Sequence, residues 1–156
     1  MVQKIKKVLL PVDGSPSSMK ATEYAIDFVK NYQAEIILIH CHRAFPSYLG
    51  EPLFQEMISS TMDKANNVLK PYKKVLSDHK ISFTDFLFEE PIGKMIAEVA
   101  ASKKVDLIIM GTRGKTDLEG LIIGSVPHQV LYLANILQMF EQVHLNLGKG
   151  ILLHKN

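Results

Sequence analysis

The chain has 156 residues, a length that suits one domain with one core and calls for neither disulfide nor structural metal to hold it. Hydrophobic residues at 47% and charged residues at 22% exclude a disordered, collagen-like or disulfide-framework chain. Eighteen Lys and Arg against 16 Asp and Glu leave a formal charge of +2, which gives nucleic-acid binding no support. The lone Cys41 cannot bridge internally and fits a reducing compartment. Lys4, Lys6 and Lys7 precede an apolar run too short for a secretory signal, and no window approaches the roughly 18 uninterrupted apolar residues of a membrane span. A cytoplasmic chain without a membrane or nucleic-acid partner is expected.

Val8-Leu9-Leu10-Pro11-Val12 is apolar without alternation, as in a strand covered on both faces. Asp13-Gly14-Ser15 ends it. Ser15 before Pro16 then reads as a helix N-cap with proline at the first helical position, and Ala21, Tyr24, Ala25, Phe28 and Val29 recur at helical spacing. Ile36–Ile39 is a second buried strand, followed by a long helical stripe from Phe54 through Met57, Ile58, Met62, Ala65, Leu69 and Tyr72 to Val75. Ile81 and Phe83, then Phe86 and Phe88, alternate with one slip, which predicts a third strand at the sheet's edge. Pro91 opens a third helix, and Leu107-Ile108-Ile109-Met110 is a fourth buried strand. The methionines at 57, 62, 95 and 110 fall on core stripes and are expected to pack there.

This repeated alternation predicts an α/β domain spanning 1–156 with a parallel sheet and helices on both faces. In such sheets ligands bind beyond the carboxyl ends of strands, which directs attention to Asp13, the residues after Ile39 and everything after Met110. The tail, about 136–156, breaks the regularity. Gln142–Leu147 alternates, Gly148-Lys149-Gly150 signals a turn and Ile151-Leu152-Leu153 follows, a hairpin pattern.

After the fourth strand come Gly111-Thr112-Arg113-Gly114, nine further residues and Gly124-Ser125-Val126 leading into an apolar-periodic segment. Glycines allow close backbone approach, and free amides at a helix start attract negative charge, so this arrangement suits a phosphate. The alternative use of the same glycines is tight turning alone. A P-loop is excluded because Ile109 stands where its first glycine belongs, and no Gly-x-Gly-x-x-Gly dinucleotide fingerprint occurs.

The spacing Gly111-x2-Gly114-x9-Gly124-Ser125, together with the opening Val8–Ser15, resembles the ATP-binding class of the universal stress protein family over about Lys4 to Leu133. The resemblance implies a doubly wound, mostly parallel five-stranded sheet of the adenine nucleotide alpha hydrolase-like type, a homodimer, and ATP (or ADP or AMP) with Mg2+ or Mn2+. It carries the nucleotide site onto Pro11, Val12, Asp13, Cys41, Met110, Gly111, Arg113, Gly114, Gly124, Ser125 and Val126. Asp13 and Cys41 would meet adenine and ribose, Gly111 and Gly114 ribose and phosphates, and Gly124, Ser125 and Val126 the phosphate tail. Two departures stand out. Pro127 removes an amide from the first turn of the last helix, and Asn135–Phe140 replaces the short valine-rich strand with which the family closes its sheet.

Several residues have other readings. Asp13 can serve the turn instead of, or as well as, a ligand. His40 and His42 share a strand face, but no further cluster completes a metal site, and Cys41 is read as a packing residue. Arg113 and Lys115 are equally suited to phosphate and to solvent. No Ser/His/Asp or paired-carboxylate set can be assembled, and no general base is placed for hydrolysis. The expectation is a signalling or stress-response module that binds nucleotide and turns it over slowly or not at all. A non-nucleotide interaction protein of the same fold and a slow nucleotide hydrolase are the alternatives.

Overall fold

The computed structural model describes residues 4–112 and 124–134, and the backbone alone of 150–154. The elements run β1 (Lys7–Pro11), α1 (Pro16–Tyr32), β2 (Glu35–His42), α2 (Leu53–Asp78), β3 (Phe83–Glu89), α3 (Ile92–Ser102), β4 (Leu107–Gly111), α4 (Ser125–Leu133) and β5 (Gly150–His154). The strands are ordered β3-β2-β1-β4-β5.

β1 is central, hydrogen-bonded in parallel to β2 on one side and β4 on the other. Its side chains therefore meet helices on both faces, which is why the sequence shows no polar alternation there. Val8 and Leu10 pack with Ala25, Val29, Leu69 and Tyr72 of α1 and α2. Leu9 points the other way and joins Ile96 and Val99 of α3 and Val130 of α4. Two apolar layers thus sandwich the sheet in a doubly wound α/β arrangement.

The slip in the β3 pattern is not a bulge, since β3 pairs with β2 without interruption from Phe83 to Glu89. Phe83 and Leu87 belong to the α1/α2 layer, whereas Phe86 and Phe88 belong to the α3/α4 layer. Asp85, between Phe83 and Leu87, is bridged by Lys73 of α2 at 3.0 Å. On the other face, the Lys103 ammonium lies 4.5 Å from the Phe86 ring centroid. Partial exposure at the edge makes room for these cations.

α2 corrects the expectation of a fully packed methionine stripe. At 26 residues the helix is about 39 Å long, whereas the eight residues of β2 span about 26 Å. The helix overhangs the sheet. Its buried residues, Ala65, Leu69, Tyr72 and Leu76, lie in the carboxyl half, while Leu53 and Met57 in the amino half are exposed.

The sheet has five strands, four of them parallel, in keeping with the mostly parallel five-stranded sheet that the resemblance implies. β5 comes from the tail and lies antiparallel beside β4, with Gly111 opposite Gly150 and Leu107 opposite His154. The Ile151-Leu152-Leu153 block does form a strand, but its partner is β4; the expected hairpin partner, Gln142–Leu147, lies outside the described residues. So does the atypical Asn135–Phe140 stretch.

From β1 the chain builds outward through β2 to β3, then returns to add β4 on the opposite side of β1. The order reverses between β1 and β4. In open α/β sheets such a reversal is where ligands are held, beyond the carboxyl ends of the two strands.

Candidate functional site

The turn after β1 is set by short-range hydrogen bonds. Gly14 has φ 79°, in the left-handed region that a side chain disfavours. Asp13 Oδ1 accepts from the Ser15 amide at 2.9 Å, and the buried Ser15 Oγ caps α1 by accepting from the Ser18 amide at 3.1 Å. The carboxylate thus serves the turn, as one of its two readings held. Val12 is buried; its amide donates to Ile39 O at 2.9 Å and its carbonyl accepts from His40 Nδ1 at 2.8 Å. A carbonyl only accepts, so Nδ1 carries the proton of the His40 ring.

Beneath this turn lies a contact that no local pattern announces. Tyr72 of α2, 1% exposed, places its hydroxyl 2.5 Å from Ser18 Oγ. Ser18 Oγ donates its single hydrogen to Ser15 O at 3.0 Å, so Tyr72 is the donor to Ser18. The Asp13 amide also approaches Ser18 Oγ, at 3.5 Å. The Tyr72 hydroxyl interacts as well with the Gly14 backbone, and its pKa is raised by burial foremost and by the Asp13 charge.

The β4 side meets this turn directly. A Cβ on Gly111 would stand 2.6 Å from Ser17 Oγ and 3.0 Å from backbone atoms of Ser17 and Ser18. Glycine is therefore required at 111 by the first turn of α1, whatever else it does. Met110 is buried in the α3/α4 layer. Thr112, also buried, accepts at its carbonyl from the Gly124 amide at 2.6 Å, and Gly124 is the N-cap of α4. That bond brings the two ends of the intervening span together.

At the start of α4 the amides of Ser125 and Val126 have no acceptor among the described residues. The cap contributes no side-chain hydrogen bond either. Pro127, buried, has no amide to offer, and the His128 amide is already committed to Gly124 O at 3.1 Å. Two donors at the positive end of a helix dipole are left over.

Contacts thus join Asp13 to Ser18, Ser18 to Gly111, and Thr112 to Gly124 and α4. Pro11 and Val12 enter through β1, and Met110 through β4. Arg113 and Gly114 lie outside the described residues. Cys41 lies two positions beyond Ile39, on that residue's side of the strand and opposite His40 and His42. Burial, helped by the Glu90 charge, pushes its thiol up to about 11, so it is protonated at neutral pH and no nucleophile. Among the described residues no three of His, Cys, Asp and Glu gather to hold a metal ion. Ser17, Ser18, Tyr72 and Thr112 join these contacts without having been singled out in the sequence, where Ser15 was read as a cap. Only the Ser15–Ser18 spacing carried a signal, as a cap.

A family model described as the universal stress protein family matches residues 4–136. The universal stress protein MJ0531 of Methanocaldococcus jannaschii is 35% identical over 129 residues, 81% of this chain and 75% of that protein. The solved structure of MJ0577 from the same organism superposes with a TM-score of 0.76 at 29% identity, covering 85% of this chain and 92% of that one. Two others share the fold at 18% identity. One is a universal stress protein in complex with cAMP, with a TM-score of 0.65 over 85% of this chain and 94% of that one. The other is an Arabidopsis thaliana family protein with AMP bound, with a TM-score of 0.61 over 83% and 86%.

Proposed function

The chain belongs to the universal stress protein family, and from that premise we propose that it binds an adenine nucleotide, ATP foremost, across the carboxyl ends of β1 and β4. It acts as a homodimeric signalling or stress-response module, occupied by nucleotide and hydrolysing it slowly or not at all. One observation carries the reading: the Ser125 and Val126 amides, lacking acceptors among the described residues, open α4 next to the carboxyl end of β4, where the strand order reverses. Hydrogen bonds to a charged group contribute roughly 1.5–3 kcal/mol each, so two supply a large share of the about 8 kcal/mol of a micromolar complex. The choice of adenine rests on the relatives named with AMP and cAMP.

In this reading Asp13 and Cys41 face the base and ribose, Pro11, Val12 and Met110 wall the pocket, and Gly111, Arg113, Gly114, Gly124, Ser125 and Val126 follow ribose and phosphates. The second carboxylate oxygen of Asp13 remains for the ligand while Oδ1 holds the turn. Mg2+ or Mn2+ would neutralise phosphate charge. With no cluster of metal ligands among the described residues, the site fits a cation carried in on phosphate oxygens and water.

Calorimetric titration with ATP and Mg2+ tests the proposal, with saturable binding in the micromolar range expected. Mass spectrometry of the purified protein should find an adenine nucleotide. Phosphate release faster than about 1 per second would replace the module by a hydrolase.

A second reading has its own support. Asp13, Gly111 and the Gly124 amide each have a structural use within the protein. An interaction protein of this fold would keep all three and bind no nucleotide. Absence of heat up to millimolar ATP would decide for it.

A further inference from the structure

Three hydrogen-bonding groups line up behind the β1–α1 turn. Tyr72 donates to Ser18 Oγ, and Ser18 donates to Ser15 O. Ser18 Oγ is saturated by this arrangement: it gives its one hydrogen to Ser15 and accepts from Tyr72, with the Asp13 amide at 3.5 Å alongside. Members of such a chain polarise one another, and the low dielectric around a 1% exposed hydroxyl makes an unmade bond costly.

Tyr72 comes from α2, 54 residues from Ser18 in sequence. The turn it supports carries Asp13, whose carboxylate is steered by the Ser15 amide. Among the described residues the hydrogen bond of Tyr72 goes to Ser18, in the first turn of α1, and not to α4. The two halves of the site are held by different hydrogen bonds, the Asp13 half by Tyr72 of α2 and the phosphate half by the Thr112–Gly124 bond, and they meet in the packing of Gly111 on the first turn of α1.

We propose that Tyr72 is a positioning residue for recognition of the nucleoside end of the ligand, acting through the Asp13-Gly14-Ser15 turn and leaving the phosphate end unaffected. This rests on the nucleotide-binding reading. It adds a division of labour: the base is selected by a turn that a buried tyrosine holds in place, and the phosphates by backbone amides that it does not touch.

Tyr72→Phe removes one oxygen and keeps the ring in the core. The test compares binding of ATP and of inorganic tripolyphosphate, each with Mg2+, to the wild-type protein, Tyr72→Phe and Ser18→Ala, with the folded fraction of each checked by circular dichroism. The expected result is a three- to tenfold loss of ATP affinity in both variants, in line with one lost hydrogen bond, with tripolyphosphate affinity unchanged. A general structural defect would weaken both ligands together. That outcome overturns the proposal, as does ATP affinity equal to wild type in the folded variants. Should the wild-type protein bind neither ligand, the nucleotide reading itself fails and takes this proposal with it. Should Tyr72→Phe not fold, Ser18→Ala decides by the same comparison.

Discussion

Burial and the Glu90 carboxylate hold the Cys41 proton to about pH 11, against 9.0 in an open chain. The folded form thus keeps its proton through a range in which the unfolded form loses it. The resulting stabilisation is intact below pH 9 and declines as the pH rises towards 11. By linkage the loss amounts to about 1–2 kcal/mol near pH 10.5. Tyr72, also raised by burial, acts in the same direction. The denaturation midpoint should therefore fall steeply between about pH 9 and about 10.5, and less steeply in Cys41→Ala. Alkylation of Cys41 at pH 8 should run about a hundredfold slower than for an exposed cysteine, in proportion to its thiolate fraction. At this scale the sequence was readable where partners are close along the chain. Asp13-Gly14-Ser15-Pro16 announces its turn and cap, because the bonds that set them fall within five residues. Tyr72 reads only as a core position, since helical spacing reports which face a residue occupies and not what its hydroxyl reaches.

Between elements, the decisive contact is the approach of β4 to the first turn of α1 at Gly111. Of the three atoms a Cβ would strike, two are backbone, which cannot swing aside as a long side chain could. Gly111→Ala is expected to destabilise the protein by about 1–3 kcal/mol, the range for overpacking. Urea denaturation of the variant measures it, and a loss under about 0.5 kcal/mol, the usual surface scatter, would mean the helix yields freely. The order of strands and helices was legible because each apolar block ends at a strong punctuation, such as Pro16 or Pro91. The edge position of β3 was legible too, from its mixed faces. The direction of β5 was not: Ile151-Leu152-Leu153 fixes that a strand forms, but an apolar triplet carries no information about which neighbour it joins or which way it runs.

For the molecule as a whole, ligand occupancy should appear as stability. A ligand that binds only the folded state at a hundred times its Kd adds about 2.7 kcal/mol, which raises the melting temperature of a domain this size by roughly 5–10 °C. Differential scanning calorimetry with and without ATP and Mg2+ measures the shift, and GTP at the same concentration should give a smaller one. The proposed homodimer should elute with twice the 17.5 kDa chain mass in light scattering. That a ligand belongs beyond the carboxyl ends of the strands followed from the α/β alternation, which is general. The identity of the ligand did not; that required a family resemblance, since amides at a helix start recognise negative charge without regard to the base attached.

The Thr112–Gly124 bond has an evolutionary implication. Thr112 and Gly124, on either side of residues 113–123, are tied by one 2.6 Å hydrogen bond, so β4 and α4 are joined through these two residues. Changing the length of such an insert alters closure entropy only slowly, by about 0.6 kcal/mol per doubling. Lengthening or shortening the stretch between Thr112 and Gly124 should therefore leave the denaturation midpoint of the frame nearly unchanged, a tolerance to insertion that selection can draw on.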